Sequence, residues 1–402
     1  MKNTGKRDVA FLCQFFFPEY VSSATLPYDV AEKLVKSGYS VGALVGYPKE
    51  YTRDTKPSKR EIYNGIDIKR VKYLQLKRTR VLGRLINFIS FFVSVFFNIR
   101  FLKDYRSVIV YSNPPLIPLI AVLAKRLYGL KIIFVSFDVY PEIAIRSGIA
   151  SENGLMVKFF DTINRILFSA VDKVIALSTD MKAFLVDQRK ISESKVEVIP
   201  NWYEDLGEIT NYTPNEDTPF TISYLGNLGT CQDETTIMQV IDMLKEEPTV
   251  RFVFAGHGNK MEKICETKRT NQWENVDIYG FLQGQEYEHM LQASDCFLVT
   301  LTEGLLGLCS PSKVISYLMI GRPVICIMDR NAEIAKDIVG YRAGMVFNVG
   351  DSDSVIAFVK QLMSSKHLKE DMSKNARFLY KEKYEKSICL QQYCTMLESL
   401  LN

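Results

Sequence analysis

Short apolar runs alternate with stretches of helical period along almost the whole chain. In the first half, runs at residues 9–16, 40–46, 107–110, 132–136, 173–176 and 196–199 read as buried strands, and helices fit 23–37, 117–128, 155–168 and 180–186. The pattern lapses over 203–219, an acidic stretch bearing Asn, Thr and Pro that reads as a linker. It restarts with strands at 221–225, 251–255, 276–279, 296–301 and 324–327. Such alternation predicts α/β architecture: two parallel-sheet domains, helices on both faces of each, set across a cleft. The expected boundaries are 1–205, 206–380, and a final helix over 381–402 that returns to the first domain.

Two local patterns carry candidate chemistry. Around Ser310-Pro311-Ser312-Lys313 the sequence marks a helix start, with Ser310 as the expected cap, and Gly321 followed by Pro323 marks its end. Val314, Ile315, Leu318 and Met319 form its apolar face, which leaves Lys313 as a cation in the first turn, against the helix dipole. An ammonium beside free amides suits an anion, most simply a phosphate; a lysine that snorkels to water is the plainer reading. The second pattern is the strand at 221–225 running into Gly226-Asn227-Leu228-Gly229, then a helix over about 234–244 capped by Asp233. Strand, glycine turn and helix bring backbone amides close to a phosphate. This turn is neither G-x-G-x-x-G nor a Walker loop, so neither a dinucleotide site nor an ATPase is indicated.

Composition narrows the possibilities only slightly. The 402 residues suffice for two cores, and a net charge of +4 gives no argument for nucleic acid as a partner. The eight cysteines include no C-x-x-C pair and fit buried thiols in a reducing compartment, with no zinc spacing. The apolar start, residues 9–17, leads into Pro18-Glu19 with no small-residue cleavage site, and reads as a first strand rather than a signal peptide. Asn211-Tyr212-Thr213 spells a glycosylation sequon and reads as chance. Asp351-Ser352-Asp353 imitates a D-x-D metal motif, but it follows Gly350 and opens a helical run, so capping explains it.

One segment stands apart. Residues 85–99 carry no charge, and as a helix would span about 22 Å, short of the roughly 30 Å hydrocarbon core. Asn87, Ser90, Ser94 and Asn98 recur along it at helical spacing, with Arg80 and Arg84 extending the stripe. Lys69, Arg70, Lys72, Lys77, Arg78, Arg80 and Arg84 precede or begin it with no acid between. An apolar helix beside a basic run suits an interface helix on anionic lipid, with Phe91, Phe92 and Phe96 against the bilayer. A core helix beside a solvated basic loop is the alternative.

Taken with these patterns, Asp138-Val139-Tyr140-Pro141-Glu142, Ile199-Pro200-Asn201-Trp202, Leu225-Gly226-Asn227-Leu228-Gly229, Ala255-Gly256-His257-Gly258, Tyr279-Gly280-Phe281-Leu282, Pro311-Ser312-Lys313 and Gly321-Arg322-Pro323-Val324 make the chain resemble the family 4 glycosyltransferases of GT-B fold. The likeness is greatest to the branch that builds bacterial O-antigen, capsule and colanic-acid repeat units. It implies two Rossmann-like domains and a retaining, metal-independent transfer without a cofactor. It also implies a nucleotide-sugar donor, expected to be a UDP-sugar, on the C-terminal domain and an acceptor on the N-terminal one. That acceptor is expected to be a saccharide on polyprenyl diphosphate, met by a cytoplasmic enzyme resting on the inner membrane face.

The same match places Gly226, Asn227 and Gly229 against the donor diphosphate with Ser312 and Lys313 opposite, and Gly280, Phe281 and Leu282 at the base. Lys313 and Asp138 are the expected catalytic residues, with Glu142 a second acid on the acceptor side. Asp138 falls where many relatives carry a histidine, while His257, His289 and His367 all lie in the second half. The chain departs from the family where relatives carry two glutamates. Leu308 and Ser316 stand there, Glu303 is the nearest acid that could substitute, and the resemblance does not carry over the glutamate that holds the ribose in the family. The glycine-rich loop expected after the first strand is Tyr20-Val21-Ser22-Ser23-Ala24 instead. A non-catalytic subunit that keeps the fold and a sugar-nucleotide epimerase are the alternatives.

Overall fold

The computed structural model describes residues 5–48, 56–76, 81–207 and 218–402, without the side chains of residues 81, 82 and 84. Lys77, Arg78, Arg80, the Arg84 side chain, the sequon at 211–213 and most of the expected linker therefore lie outside the described residues. The chain divides into two compact units, residues 1–200 with 387–402, and residues 201–386.

In the first unit, β1 (Arg7–Cys13), α1 (Ser22–Lys36), β2 (Val41–Gly46), β3 (Arg60–Tyr63), β4 (Ile66–Val71), α2 (Val81–Phe97), β5 (Tyr105–Tyr111), α3 (Pro118–Tyr128), β6 (Lys131–Ser136), α4 (Glu142–Arg146), α5 (Leu155–Ala170), β7 (Lys173–Ala176), α6 (Thr179–Arg189) and β8 (Val196–Val198) build a sheet in the order β3-β4-β2-β1-β5-β6-β7-β8. Every pairing is parallel except the β3–β4 hairpin. Val9, Ala10, Phe11 and Leu12 are wholly buried, as a central parallel strand covered on both faces requires. The expected strand over 9–16 ends at Cys13. Beyond it the chain turns: Glu19 N–H donates to Phe16 O at 3.0 Å and Phe16 N–H donates to the Glu19 carboxylate at 3.3 Å. The last helix, α14 (Lys386–Leu401), packs on this unit, with Lys131 Nζ donating to Leu400 O at 2.7 Å and Cys394 Sγ 3.4 Å from Ser37 Oγ.

The polar stripe of α2 points inward. Asn87 accepts from Leu76 N–H at 2.8 Å and donates to Leu76 O at 3.0 Å, Ser90 Oγ accepts from Leu74 N–H at 3.0 Å, and Ser94 Oγ donates to Lys72 O at 2.6 Å. These bonds satisfy the backbone of 72–76, which has no strand partner there. The outward face is apolar: Leu85, Ile89, Val93, Phe96 and Phe97 are exposed, whereas Phe91 is fully buried and edge-on to Tyr73. Phe91 is thus a core residue rather than a lipid-facing one. Arg70 also leaves the basic run, because it is buried and donates to Glu61 at 2.7 Å and to the carbonyls of Ser58 and Phe17.

In the second unit, β9 (Phe220–Leu225), α7 (Thr235–Met243), β10 (Val250–Ala255), α8 (Asn259–Asn271), β11 (Val276–Tyr279), α9 (Gln285–Ala293), β12 (Cys296–Thr300), α10 (Lys313–Met319), β13 (Val324–Ile327), α11 (Glu333–Gly340) and β14 (Gly344–Phe347) form an all-parallel sheet, β11-β10-β9-β12-β13-β14. Helices α12 (Ser352–Ser364) and α13 (Lys366–Leu379) follow, and Asp351 caps α12 by accepting from Ser354 N–H at 3.3 Å. The strand order runs outward both ways from the β9/β12 pair, which makes that pair the point where ligands of such sheets bind. The equivalent point in the first sheet is β1/β5.

Candidate functional site

The β9/β12 corner is shaped by a side chain that replaces a strand. Pairing of β9 with β12 stops at Ser223–Phe297. Beyond it, the Tyr317 hydroxyl of α10 donates to Leu225 O at 3.0 Å and accepts from Leu225 N–H at 2.9 Å. The Tyr317 ring stacks on Phe297 with centroids 4.0 Å apart. Because residues four apart share a helix face, this anchor sets Lys313 one turn earlier over the end of β9. Helix α10 itself is only seven residues long and begins later than expected. Ser312, not Ser310, occupies the cap position, without a side-chain bond, and the preceding bonds are short-range, Val314 N–H to Pro311 O and Ile315 N–H to Ser312 O.

Lys313 Nζ donates to Tyr224 Oη and, at 2.7 Å, to Asn227 O; it also lies 4.2 Å from the centroid of the Tyr224 ring. No carboxylate among the described residues pairs with it, and burial pulls its pKa down to about 7. The lysine stem crosses Gly226, where a Cβ would meet Lys313 Cε at 3.4 Å. Two glycine turns are zipped beneath. Gly226 N–H donates to Ala255 O at 2.7 Å and Leu228 N–H to His257 O at 2.8 Å. A Cβ on Gly256 would fall 2.1 Å from Gly226 O, and one on Gly258 2.2 Å from Leu228 O, so both positions demand glycine.

The sequence-derived donor residues differ in availability. Asn227 and Ser312 are exposed beside the lysine. Gly229 is buried, and its N–H is donated to Gln232 Oε1 at 2.8 Å, so it is not open to an anion in this arrangement. Gly280, Phe281 and Leu282 follow β11, two strands away, where Phe281 is half exposed and its ring lies 5.7 Å from that of His257. Ser316 is buried: its hydroxyl donates to Lys313 O at 2.8 Å and lies 2.9 Å from the Tyr287 hydroxyl. Glu303 is exposed and Leu308 is core.

In the first unit, Asp138 follows β6, its N–H donating to Ser112 Oγ at 3.3 Å. Its carboxyl has no hydrogen-bond partner among the described residues, lines a small cavity with Ser112, Asn164 and Arg189, and is pushed up to about 6 by desolvation. Glu142 is not free: it forms an ion pair with Arg189, which also binds Asp161 at 2.9 Å. At the β1/β5 point the side chain of Gln14 is buried with neither amide atom hydrogen-bonded. Gln14, Arg189 and Tyr224 are the polar residues sequence reasoning passed over. Gln14 did interrupt an apolar run, whereas Tyr224 lay unmarked within one.

Comparison with known proteins agrees with this fold. The model described as Glycosyltransferase Family 4 matches residues 24–205, and the one described as Glycosyl transferases group 1 matches 208–378. A probable glycosyltransferase, WbjE of Pseudomonas aeruginosa, is 25% identical over 72% of this chain and 74% of its own. A putative colanic acid biosynthesis glycosyl transferase, WcaI of Escherichia coli, is 22% identical over 65% and 67%. Among solved structures, sucrose-phosphate synthase of Thermosynechococcus elongatus superposes with a TM-score of 0.75 at 13% identity, covering 98% of this chain and 99% of its own. HepE of Anabaena, solved with UDP-glucose, superposes with a TM-score of 0.70 at 13% identity, covering 98% and 100%.

Proposed function

This chain belongs to the family 4 glycosyltransferases, of GT-B type and acting in polysaccharide biosynthesis, and from that premise we propose that it moves a sugar, a hexosyl or N-acetylhexosaminyl group, from a UDP-sugar to a lipid-linked saccharide with retained configuration. The observation that carries this reading is the ammonium of Lys313, without an acidic partner among the described residues, over two glycine turns at the β9/β12 corner. As the bond from the sugar C1 to the diphosphate oxygen breaks, negative charge gathers on the departing phosphate. A cation about 4 Å away stabilises it by roughly 4 kcal/mol at an effective dielectric near 20, before desolvation is subtracted. Diphosphate binding also raises the lysine's pKa again, so it is charged when the bond breaks.

Asn227 and Ser312 border the same anion, and Phe281 offers a flat apolar surface to the base. The new bond joins C1 to an acceptor hydroxyl, whose proton passes to the leaving phosphate while Asp138, ionised above about pH 6, orients that hydroxyl. The reaction proceeds without a bound metal. Incubation with a panel of UDP-sugars and a short-chain lipid diphosphate saccharide, followed by mass spectrometry, should give one glycosylated lipid. Donor consumption without acceptor would favour an epimerase, and no UDP binding a non-catalytic subunit. In the same assay Asp138→Asn should slow transfer about tenfold to a hundredfold with UDP affinity nearly unchanged. Equal loss of both would assign Asp138 to donor binding or folding.

The acceptor is met at the inner face of the cytoplasmic membrane, with the enzyme peripheral on anionic lipid. Among the described residues no helix is long and apolar enough to cross a membrane. Helices α2 and α5 both pack against α3. Besides the outward stripe of α2, α5 exposes Leu155, Phe159 and Ile166 beside Lys158 and Arg165. Exposed apolar ridges, with cations beside that of α5, fit a surface of acyl chains and anionic headgroups.

A further inference from the structure

The lysine at the β9/β12 corner is held by a residue outside the glycine turns. Tyr224 occupies the strand position before Leu225, and it is fully buried, its ring near Phe254 with centroids 6.3 Å apart. Its hydroxyl accepts from Lys313 Nζ and donates to Asn227 O at 2.9 Å, while Lys313 donates to the same carbonyl at 2.7 Å. Three polar atoms from β9, the first glycine turn and α10 therefore close on one another. An ammonium has three N–H donors. Two are fixed here by Tyr224 Oη and Asn227 O, and one remains for an incoming oxyanion.

We infer that Tyr224 is a positioning residue for transfer: its hydroxyl fixes the direction and protonation of the Lys313 ammonium, so that the remaining N–H meets the departing phosphate. The inference rests on the proposed role of Lys313. The surroundings explain why a hydroxyl is needed there. Of the titratable groups with a hydrogen bond or ring contact at this corner, Tyr224 lies on β9, Tyr287 on α9, Tyr317 on α10 itself and His257 in the second glycine turn, and no described carboxylate forms an ion pair with Lys313. Tyr317 is spent on Leu225 and Tyr287 on Ser316. Without the Tyr224 oxygen, the charged lysine in this desolvated corner keeps one backbone carbonyl as acceptor. Its charged form becomes harder to hold, and its direction is set by one bond instead of two.

Tyr224→Phe removes the hydroxyl and keeps the ring. Expected results are a fall in kcat of about tenfold, the worth of one charge-assisted hydrogen bond, with the KM for the UDP-sugar altered by less than about threefold. The alkaline limb of kcat/KM should move to lower pH, because losing an acceptor disfavours the protonated lysine. In a Lys313→Ala background the same substitution should have no further effect, whereas a merely structural role would lower activity in both backgrounds. A parent-like kcat and pH limb in Tyr224→Phe, beside an inactive Lys313→Ala, overturns the positioning role alone. Parent-like activity in Lys313→Ala overturns the site reading beneath it. Should Tyr224→Phe not fold, 3-fluorotyrosine placed at 224, a weaker acceptor, should move the same limb downward, and an unmoved limb overturns the role.

Discussion

Replacing Lys313 by alanine should lower sugar transfer by at least about a hundredfold while the fold persists, the loss typical of removing one donor aimed at developing charge. The fold should survive because α10 is held by Tyr317 and its buried apolar face, not by Lys313, whose own bonds are to one hydroxyl and one carbonyl. UDP-sugar affinity should fall less than turnover, since charge on the diphosphate grows as the bond to sugar breaks. Measuring kcat, UDP-sugar binding and the melting temperature together separates these cases. Near-parent kcat would remove Lys313 from the mechanism. A lower melting temperature with proportionate loss of both activities would make it a structural residue.

The second large effect concerns lipid. Changing Leu85, Ile89, Val93 and Phe96 together to serine should release the protein from vesicles of anionic phospholipid, with little change in its affinity for UDP. If each side chain buries about half its surface in the interface, the loss is about 3 kcal/mol in all, more than a hundredfold in partitioning. All four are 43–49% exposed, so the substitution disturbs packing far less than one at a fully buried position. Changing Phe91 instead would empty a fully buried position and should destabilise the unit without informing on lipid. Unchanged sedimentation with vesicles would contradict the assignment of this face.

The contrast between those phenylalanines shows where the sequence could be read and where it could not. Strands such as 132–136 and 173–176 were legible because parallel strands buried on both faces appear as unbroken apolar runs. Helix α2 was legible as a helix, but not its orientation. Asn87, Ser90 and Ser94 look like a wet stripe until the backbone of 72–76 is seen to need their hydrogen bonds. The β3–β4 hairpin escaped although Asn64-Gly65, with φ of 45° and 78°, is a turn signal. Its first strand is largely exposed, and the lysine and arginine of the second were read as part of a charged run.

The candidate site shows the same division. Lys313 was visible because a cation in a first turn conflicts with its local surroundings, and Gly226 because strand, glycine turn and helix follow one another there, although a glycine pair after a strand is more often only a tight turn. The Gly229 amide was expected to face phosphate, yet Gln232 takes it, a contact that spacing alone cannot reveal. Tyr224 gave no signal, since a tyrosine inside an apolar strand reads as core until the partner of its hydroxyl is known. Glu142 looked available until Arg189, forty-seven positions later, proved to be its counter-ion.

Where a nucleoside diphosphate sits on this protein is tested most directly by a crystal structure of the protein soaked with UDP. The expected result is a diphosphate at the carboxyl end of β9, one oxygen within hydrogen-bond reach of Lys313 Nζ and the phosphates against Asn227 and Ser312. UDP bound elsewhere on the second unit, with Lys313 still turned only to Tyr224 and Asn227, would contradict it.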